Sequence, residues 1–363
     1  MLSATEIIFL SSVTAFLLCF FSIPSIINVA MLKHLYDEPD ERKSHTVKIP
    51  TLGGLAIFAG ITIALSLFSD VVFPERRFIM CAIIIVFFIG IKDDIIVIAP
   101  LKKMLGQIIA VVIVVVLGNI RLTGFYGFLG IGEINEYLSI ALSIFTILVI
   151  MNGFNLIDGI DTLAASIGIV ILSVLGCWFF VTGHELDWAL LAFITLAALL
   201  AFLYYNISPA KIFMGDTGSL ITGLIIGVLT IKFVHINSIL KGEMIAHQFN
   251  SVPIVAFGIL IVPLFDTLRV FTLRIFDGKS PLHPDQNHIH HRLLALGFSH
   301  IKATAIIVLA NLLIIGLVMV LQHHIGAIWM LITIIVLCSL LAYLPSLILK
   351  KNKTSSQSIS GIL

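Results

Sequence analysis

The sequence has few charged residues for its length. Only 11% of its 363 residues are Asp, Glu, Lys or Arg, whereas 59% are hydrophobic and the mean hydropathy is +1.14. A soluble globular protein needs a polar surface, so this composition excludes that class. The chain is therefore expected to be an integral membrane protein.

Two other features are scarce. The four cysteines, Cys19, Cys81, Cys177 and Cys338, lie inside apolar runs and show no paired spacing. A disulfide framework or a thiolate metal site is therefore not indicated, and we expect small core residues at these positions. Stretches of about ten residues that alternate between polar and apolar are absent, which argues against an outer-membrane barrel.

Long apolar runs, by contrast, are frequent. A membrane-spanning helix needs roughly 20 apolar residues and satisfies its own backbone hydrogen bonds within lipid. We predict an all-α, polytopic membrane protein with about 11 transmembrane helices. The predicted spans are 7–29, 52–67, 78–91, 105–117, 138–150, 163–181, 188–205, 220–234, 252–275, 304–321 and 327–349. Residues 1–349 would form a single transmembrane domain, and the polar residues 350–363 a disordered cytoplasmic tail.

Lys and Arg are unevenly distributed over the predicted loops. They cluster in the odd-numbered loops and the C-terminal tail and are sparse in the even-numbered loops. The positive-inside rule therefore places the odd loops and the C-terminus in the cytoplasm and the N-terminus outside. Chemistry is expected at the cytoplasmic face, because the odd loops also contain Asp93, Asp94, Asp158, Asp161, Asp216, Asp277 and Asp285.

The segment NGFNLIDGIDTL, residues 152–163, places polar side chains between two apolar runs. Asn152, Asn155, Asp158 and Asp161 recur at an interval of three, which gives a drifting stripe on an α-helix and an eclipsed row on a 3₁₀ turn. An Asp at mid-bilayer costs roughly 2.5–3.5 kcal/mol and normally faces a cavity with a partner. A helix cap needs one or two such residues, so four indicate a functional site.

Two further odd loops allow either a functional or a structural interpretation. Asp93 and Asp94 precede Lys102 and Lys103; the adjacent carboxylates would favour a nearby cation, but solvated charges at a helix end would give the same pattern. In KIFMGDTGSL, Asp216 is either an N-cap or a hard oxygen ligand for Mg²⁺, at a helix N-terminus that suits an anion.

Glycines and histidines leave alternatives open in the first and ninth loops. The glycines of PTLGG permit either close approach of a ligand or tight helix packing. The histidines of HPDQNHIHHRL could bind zinc, donate to phosphate oxygens together with Arg292, or simply be hydrated. Upstream, Asp266 and Arg269 are predicted to form an intramembrane ion pair that shapes this loop.

Together these segments would place carboxylates for a divalent cation and basic side chains for anionic oxygens at one membrane face. Phosphoryl transfer depends on such positioning and charge neutralisation. An anionic nucleotide donor and an anionic lipid acceptor would repel each other, and Mg²⁺ and basic residues would lower that barrier.

Five motifs, in order along most of the chain, resemble those of the polyprenyl-phosphate N-acetylhexosamine-1-phosphate transferases: RKSHTVKIPTLGG, GIKDD, NGFNLIDGIDTL, FMGDTGSL and HPDQNHIHHRL. The H-x-H-H pattern at His288, His290 and His291 is most similar to the bacterial undecaprenyl-phosphate N-acetylglucosamine-1-phosphate transferases. The translocase branch of the family usually has three adjacent histidines there.

The resemblance implies roles for individual residues. Asp216 and Asn155 would bind Mg²⁺, with Mn²⁺ as an alternative metal. Phe213 would stack on uracil and Asp161 would help to fix the base. The other residues expected to bind substrate are Lys43, Lys103, Asn152, His288 and Arg292, with Lys103 on a phosphate and Arg292 at the diphosphate and sugar.

The expected catalytic residues are Asp93, Asp94, Asp158, His290 and His291. The paired aspartates of the family are often proposed to deprotonate or orient the lipid phosphate. A phosphate monoester has a second pKa near 6 and is mostly dianionic at about pH 7, so an ordinary Asp gains little by removing a proton. We therefore expect Asp93 and Asp94 mainly to hold the metal or orient the acceptor.

The predicted reaction is attack of a phosphate oxygen of undecaprenyl phosphate on the β-phosphorus of a UDP-N-acetylhexosamine, with UDP-GlcNAc as the first expectation and UMP as the leaving group. The product would initiate a cell-envelope polysaccharide at the bacterial cytoplasmic membrane. The expected partners are the UDP-sugar, undecaprenyl phosphate and membrane lipid, with a homodimer left open and no nucleic acid.

Two alternatives stay open. A secondary transporter with an Asp/His relay predicts polar groups at mid-bilayer and two related halves. A histidine-rich metal-binding membrane protein without catalysis predicts zinc binding that survives loss of Asp93 or Asp216.

Overall fold

A computed structural model of the chain is mainly helical over the residues that it describes. It describes residues 3–36, 48–68, 73–125, 127–183, 185–240, 247–276, 278 and 288–360. Within these ranges no strand forms, and one isolated bridge pairs Gly124 with Glu133. The prediction of an all-α protein is confirmed. The helices are α1 (Ala4–Leu32), α2 (Gly53–Phe68), α3 (Arg76–Ile95), α4 (Pro100–Val112), α5 (Glu136–Ile157), α6 (Leu163–Thr182), α7 (Leu186–Asn206), α8 (Gly215–Ile239), α9 (Val252–Ile259), α10 (Ile261–Phe276), α11 (Ile289–Ala295), α12 (His300–Leu321) and α13 (Ala327–Ser360).

Many of these helices can cross a membrane. By length and composition, eight of those in the described ranges qualify: α1, α4 with its π-helical continuation Ile113–Leu117, α5, α6, α7, α8, α12 and α13. The pair α9 and α10 makes a ninth if it counts as one bent span. Helix α2 is apolar but has 16 residues, and α3 carries charged residues at both ends. The chain is a polytopic membrane protein.

Helix α8 lies at the centre of the bundle and is almost completely buried, against α5, α3 and α2. Small residues allow this because helices in lipid pack most closely where side chains are smallest. A Cβ at Gly223 would come within 2.7 Å of Met151 Cα on α5, and one at Gly227 within 3.2 Å of Ile147 Cγ2. The glycines of α8 therefore set the distance between α8 and α5.

The predicted span 252–275 is divided into two helices, which differs from the single run expected from the sequence. Helices α9 and α10 meet at an angle of 83°. Pro263 lacks a backbone N–H and its ring crowds the carbonyl of Ile259, which explains a sharp bend at this point. Helix α10 therefore runs in a different direction from α9 and carries Asp266 towards the end of the bundle where the motifs lie.

The last helix continues beyond the predicted membrane domain. Helix α13 runs to Ser360, so residues 350–360 have a helical backbone where the sequence suggested a disordered tail. Extending an existing helix requires no new nucleus, which favours this continuation over an independent start. The domain boundary at residue 349 stays a prediction.

Candidate active site

A cleft of about 590 Å³ opens at one end of the bundle, where the odd-numbered loops meet. Residues from all five motifs line it, although they are far apart in the sequence. Among the predicted site residues, the cleft is lined by Asp93, Asp94, Asn155, Asp158, Asp161, Phe213, Asp216 and His291. The structure thus brings the acidic residues of three separate loops into one place.

Asp94 caps helix α8 from the neighbouring helix α3. Its carboxylate accepts hydrogen bonds from the backbone N–H of Asp216 at 2.7 Å and of Thr217 at 3.1 Å, and from the Thr217 hydroxyl. These are orphan donors of the first helical turn, which a carboxylate satisfies while it also complements the helix dipole. Asp216 is therefore not the N-cap of α8, which was one of its two sequence interpretations.

Asp93 points to a different partner. Its Oδ2 lies 3.1 Å from Lys103 Nζ, and its Oδ1 accepts a hydrogen bond from the backbone N–H of Ile98 at 2.7 Å. The ammonium group of Lys103 also bonds Asp216 Oδ2. Lys103 thus bridges the carboxylates of Asp93 and Asp216, while Asp94 takes no part in this bridge.

Asn155 completes the cluster around Asp216. Its Nδ2 donates to Asp216 Oδ1 at 2.6 Å and to Ser219 Oγ at 2.8 Å. Both carboxylate oxygens of Asp216 therefore accept from polar side chains, one from α4 and one from α5. The ammonium group of Lys103 lies between the carboxylates of Asp93 and Asp216, and a divalent metal requires the same negatively charged surroundings.

The donor set fits Mg²⁺ in kind. Among the residues that the structure describes, no three His, Cys, Asp or Glu side chains could hold a metal together. Mg²⁺ nevertheless commonly binds through one or two carboxylates, with water and substrate phosphate completing the shell. Asp216 and Asn155 can offer two such oxygens if the Asn155 carboxamide turns its oxygen towards the metal.

The stripe in NGFNLIDGIDTL is divided between a helix and a turn. Helix α5 ends at Ile157, so Asn152 and Asn155 are helical, Asp158 is the C-cap residue, and Asp161 lies in the turn before α6. Asn152 does not line the cleft; its Nδ2 donates to Gln107 Oε1 on α4 and to the Leu148 carbonyl, both at 2.8 Å. It thus joins α5 to the helix that carries Lys103.

Asp158 lies among the other carboxylates of the cleft. Loss of hydration raises the pKa of Asp158 well above its ordinary value, and the charges of Asp216, Asp94 and Asp161 raise it further. A hydrogen bond from the backbone N–H of Gly215 opposes this shift. The carboxyl group of Asp158 is therefore the one most inclined to hold a proton.

Asp161 is buried to 6% exposure, and the turn that contains it has two partners that the sequence analysis did not single out. Its Oδ2 lies 3.2 Å from His300 Nδ1 at the start of α12. The next residue, Thr162, donates its backbone N–H to Asn206 Oδ1 at 2.7 Å. Burial raises the pKa of Asp161, but hydrogen bonds from His300 and Ser208 and the charge of His300 outweigh it, so the pKa lies below its ordinary value. His300 and Asn206 escaped notice because each stands alone in sequence, outside any cluster.

The three histidines of the H-x-H-H motif have different surroundings. His288 Nδ1 lies 2.8 Å from Asp266 Oδ2, and both side chains are buried. The predicted ion pair between Asp266 and Arg269 is confirmed, at 3.3 Å. His291 lines the cleft, whereas His290 lines a second cavity. Burial and the adjacent His291 lower the pKa of His290 to about 3, so its imidazole is neutral at physiological pH.

The second cavity is apolar and has a volume of about 260 Å³. It extends between α10, α11, α12 and α13, from His290 to Asn311 in the middle of α12. The α12 residues that line it run from Ile306 to Ile314, and at about 1.5 Å per helical residue this stretch corresponds to roughly 12 Å of length. An apolar chain entering beside His290 would therefore find an extended apolar path.

Glycines hold the start of α8 against two neighbours. A Cβ at Gly54 would collide with the backbone of Gly218, and one at Gly90 would collide with Thr217 Cα. The PTLGG segment also pairs with FMGD through backbone bonds, Gly53 N–H to the Phe213 carbonyl at 2.9 Å and Phe213 N–H to the Pro50 carbonyl at 2.8 Å. The glycines of PTLGG thus serve tight helix packing, one of the two alternatives left open by the sequence.

Two predicted residues stand apart. Arg292 is half-buried on α11 and is not among the residues that line either cavity. Lys43 lies outside the described residues.

The structure adds His34 and Tyr36 to the lining of the cleft, and Lys48 donates to the Tyr36 hydroxyl at 3.0 Å. Motif reasoning had not drawn attention to these three side chains.

The fold and the cleft define a polytopic membrane protein whose acidic, cation-bridged site lies at one end of its bundle. Residues 77–234 match the family model described as glycosyl transferase family 4. A probable undecaprenyl-phosphate N-acetylglucosaminyl 1-phosphate transferase of Bacillus subtilis (strain 168) is 33% identical over 290 residues, 79% of this chain and 77% of the relative. The chain therefore belongs to glycosyl transferase family 4, which confirms the resemblance inferred from the five motifs.

Other relatives have similar names. A decaprenyl-phosphate N-acetylglucosaminephosphotransferase of Mycolicibacterium smegmatis is 33% identical over 75% of this chain and 71% of its own length. An undecaprenyl-phosphate alpha-N-acetylglucosaminyl 1-phosphate transferase of Salmonella typhi is 29% identical over 79% of this chain and 77% of its own length. All three are named for a polyprenyl-phosphate acceptor and an N-acetylglucosamine phosphate group.

Proposed function

We propose that the protein transfers GlcNAc-1-phosphate from UDP-GlcNAc to undecaprenyl phosphate and releases UMP. A phosphate oxygen of the acceptor bonds to the β-phosphorus of the donor, and the bond from that phosphorus to the UMP oxygen breaks. The dianionic acceptor has no proton to lose in this step. The observation that carries the proposal is the bridge from Asp93 through Lys103 to Asp216, in a cleft built from the family's motifs.

Mg²⁺ is proposed as the metal, with Asp216 and Asn155 as its protein ligands and Mn²⁺ as a substitute. When bound, the metal would neutralise the diphosphate of the donor. Lys103 lies in contact with Asp216 and is close enough to add a second positive charge at the same place. Asp93 would hold that ammonium group, and Asp94 would keep α8 in position.

The donor base is proposed to lie between Phe213 and Asp161, which both line the cleft. The acceptor is proposed to approach from the other side, with its phosphate at His291 and its apolar chain in the second cavity beside His290. The neutral imidazole of His290 suits this border, because a charged one would not tolerate an apolar neighbour.

We further propose 11 spans, a cytoplasmic cleft and C-terminus, and location in the bacterial cytoplasmic membrane. Counting α2, α3 and the bent pair with the eight long apolar helices supports this number. The basic residues of the odd loops support the orientation. A homodimer stays a prediction.

The alternatives have less support. None of the comparisons supports a secondary transporter. The histidine-rich metal-binding protein is not favoured either, because His288 is engaged with Asp266 and, within the described ranges, no three metal-binding side chains converge.

The test is transfer by the purified protein in detergent, with undecaprenyl phosphate, labelled UDP-GlcNAc and Mg²⁺. We expect lipid-linked label and UMP in equal amounts, and loss of both with EDTA or in Asp216→Ala. UDP-N-acetylgalactosamine in parallel tests the choice of sugar. Folded protein that forms no product from any UDP-N-acetylhexosamine, with Mg²⁺ or Mn²⁺, would overturn the proposal.

A further inference from the structure

The first turn of α12 is attached to the turn between α5 and α6. His300 and Thr304 are four residues apart and so share one face of α12. His300 Nδ1 lies 3.2 Å from Asp161 Oδ2, and the Thr304 hydroxyl donates to the Asp161 carbonyl at 3.2 Å. The Thr162 hydroxyl in turn donates to Thr304 Oγ1 at 3.1 Å. One helix face therefore contacts both the side chain and the backbone of this turn.

The segment between α7 and α8 supports the same turn from another side. The backbone N–H of Ala210 donates to Asp161 Oδ2 at 3.4 Å, and Asn206 accepts from the backbone N–H of Thr162. Thr162 has a φ of 71°, a costly conformation for a β-branched residue. Such a backbone persists only where its surroundings fix it, and this is common at functional sites.

His300 differs from the other contacts that α12 makes with this turn. Thr304 contacts the backbone of the turn, whereas His300 reaches the carboxylate that lines the cleft. Ser208 and the backbone N–H of Ala210 are the further partners of that carboxylate. The backbone N–H of Asp161 also points to the same Nδ1 at 3.4 Å, a bond that a protonated Nδ1 does not accept, but the carboxylate contact is the shorter one. A carboxylate only accepts hydrogen bonds, so Nδ1 must carry the proton in this contact.

We propose that His300 is a positioning residue for the nucleotide donor: its Nδ1–H fixes the orientation of the Asp161 carboxylate in the cleft. This inference rests on the proposed function, in which Asp161 faces the donor base. A purely structural role would be to attach α12 to the bundle. The two roles differ in their consequences, because the first changes donor affinity and the second changes stability.

The test uses three substitutions of His300. Asn can place an amide N–H near the Nδ1 position, Gln places one nearer the Nε2 position, and Ala places none. For His300→Ala and His300→Gln we expect the KM for UDP-GlcNAc to rise about tenfold, equivalent to roughly 1.4 kcal/mol and within the range for hydrogen bonds to charged groups. The kcat and the KM for undecaprenyl phosphate should stay within about twofold, and His300→Asn should largely restore the donor KM.

Ser299→Ala is the matched control at the same helix end. Ser299 accepts from the backbone N–H of Lys302 at 3.4 Å and caps α12. Its loss should lower the unfolding midpoint, as expected when a helix cap is removed, and leave the donor KM unchanged.

The outcomes separate the inference from the proposed function. An unchanged donor KM in His300→Ala, or equal KM values in His300→Asn and His300→Gln, would overturn the inference while wild-type transfer still supports the function. Absence of transfer by the wild-type protein would overturn both. If His300→Ala does not fold, the comparison of Asn with Gln still decides, because both variants keep a polar amide.

Discussion

Asp93 and Asp94 are adjacent in sequence, but their contacts predict different consequences when each is substituted. Asp94→Ala removes an acceptor of three hydrogen bonds at the N-terminus of α8, two from backbone N–H groups and one from the Thr217 hydroxyl. Helix α8 is the central helix of the bundle and carries Asp216 in its first turn. The substitution therefore affects the whole fold and not only the cleft.

The magnitude follows from the contacts. Loss of a capping side chain costs about 0.5–2 kcal/mol, and loss of a negative charge at a partly buried helix N-terminus costs up to about 2 kcal/mol more. Together these effects predict a loss of about 0.5–4 kcal/mol in the free energy of unfolding for Asp94→Ala. Transfer activity should also fall, because the capped turn positions Asp216.

Asp93→Asn is the matched comparison. The amide oxygen of Asn can still accept from the N–H of Ile98, and Lys103 keeps Asp216 as a partner, so stability should fall by less than in Asp94→Ala. Activity should still be lost, because Lys103 loses one of its two carboxylate partners. The assay is unfolding in detergent followed by tryptophan fluorescence, together with transfer. Wild-type stability in Asp94→Ala, or an equal loss in Asp93→Asn, would refute the assignment of Asp94 as the cap.

Three more substitutions test the site. In Lys103→Met, transfer should fall by about a hundredfold or more, as expected when one partner of a half-buried charge cluster is removed. Mn²⁺ should bind more tightly, because no ammonium group competes for Asp216. An unchanged Mn²⁺ affinity, measured by electron paramagnetic resonance, would contradict this prediction. In Asp158→Asn, the protein should be more stable than wild type at neutral pH. The raised pKa of Asp158 in the folded state makes the wild-type protein lose stability as the pH rises above the ordinary value of 3.8. The difference in stability should therefore vanish towards that pH, and a difference independent of pH would contradict the prediction. In Gly90→Ala, the new methyl group meets the backbone of Thr217, so stability should fall by about 1–3 kcal/mol together with activity; wild-type behaviour in both assays would show that α3 can move away freely.

The apolar helices and the family were predictable because both depend on local information. An apolar run of sufficient length indicates a membrane helix whatever it packs against, and all predicted runs overlap helices of the structure. The bend between α9 and α10 was not predicted, although Pro263 is visible in the sequence. A proline indicates a weak point in a helix, but the angle depends on what the second half packs against.

The polar stripe in residues 152–161 shows what the sequence pattern could not predict, namely the separate contacts of its residues. An interval of three suggested four equivalent positions, but α5 ends at Ile157 and only Asn152 and Asn155 lie on it. Asn155 then contacts Asp216, Asn152 contacts Gln107, and Asp161 contacts His300. Each partner is far away in the sequence, so the four roles diverge for reasons that no periodicity contains.

The start of α8 illustrates the same limit and bears on how substrates are held. A helix N-terminus flanked by glycines suits an anion, and the sequence allowed that anion to be a phosphate. In the structure the Asp94 carboxylate takes this place, and the glycines bring the three helices together. The first backbone N–H groups of α8 are therefore already engaged by the protein. Under the proposed function, phosphate groups in this cleft would instead be held by side-chain cations and by Mg²⁺. Because Lys103 already contacts Asp216, this ammonium group and the metal would compete for the same carboxylate.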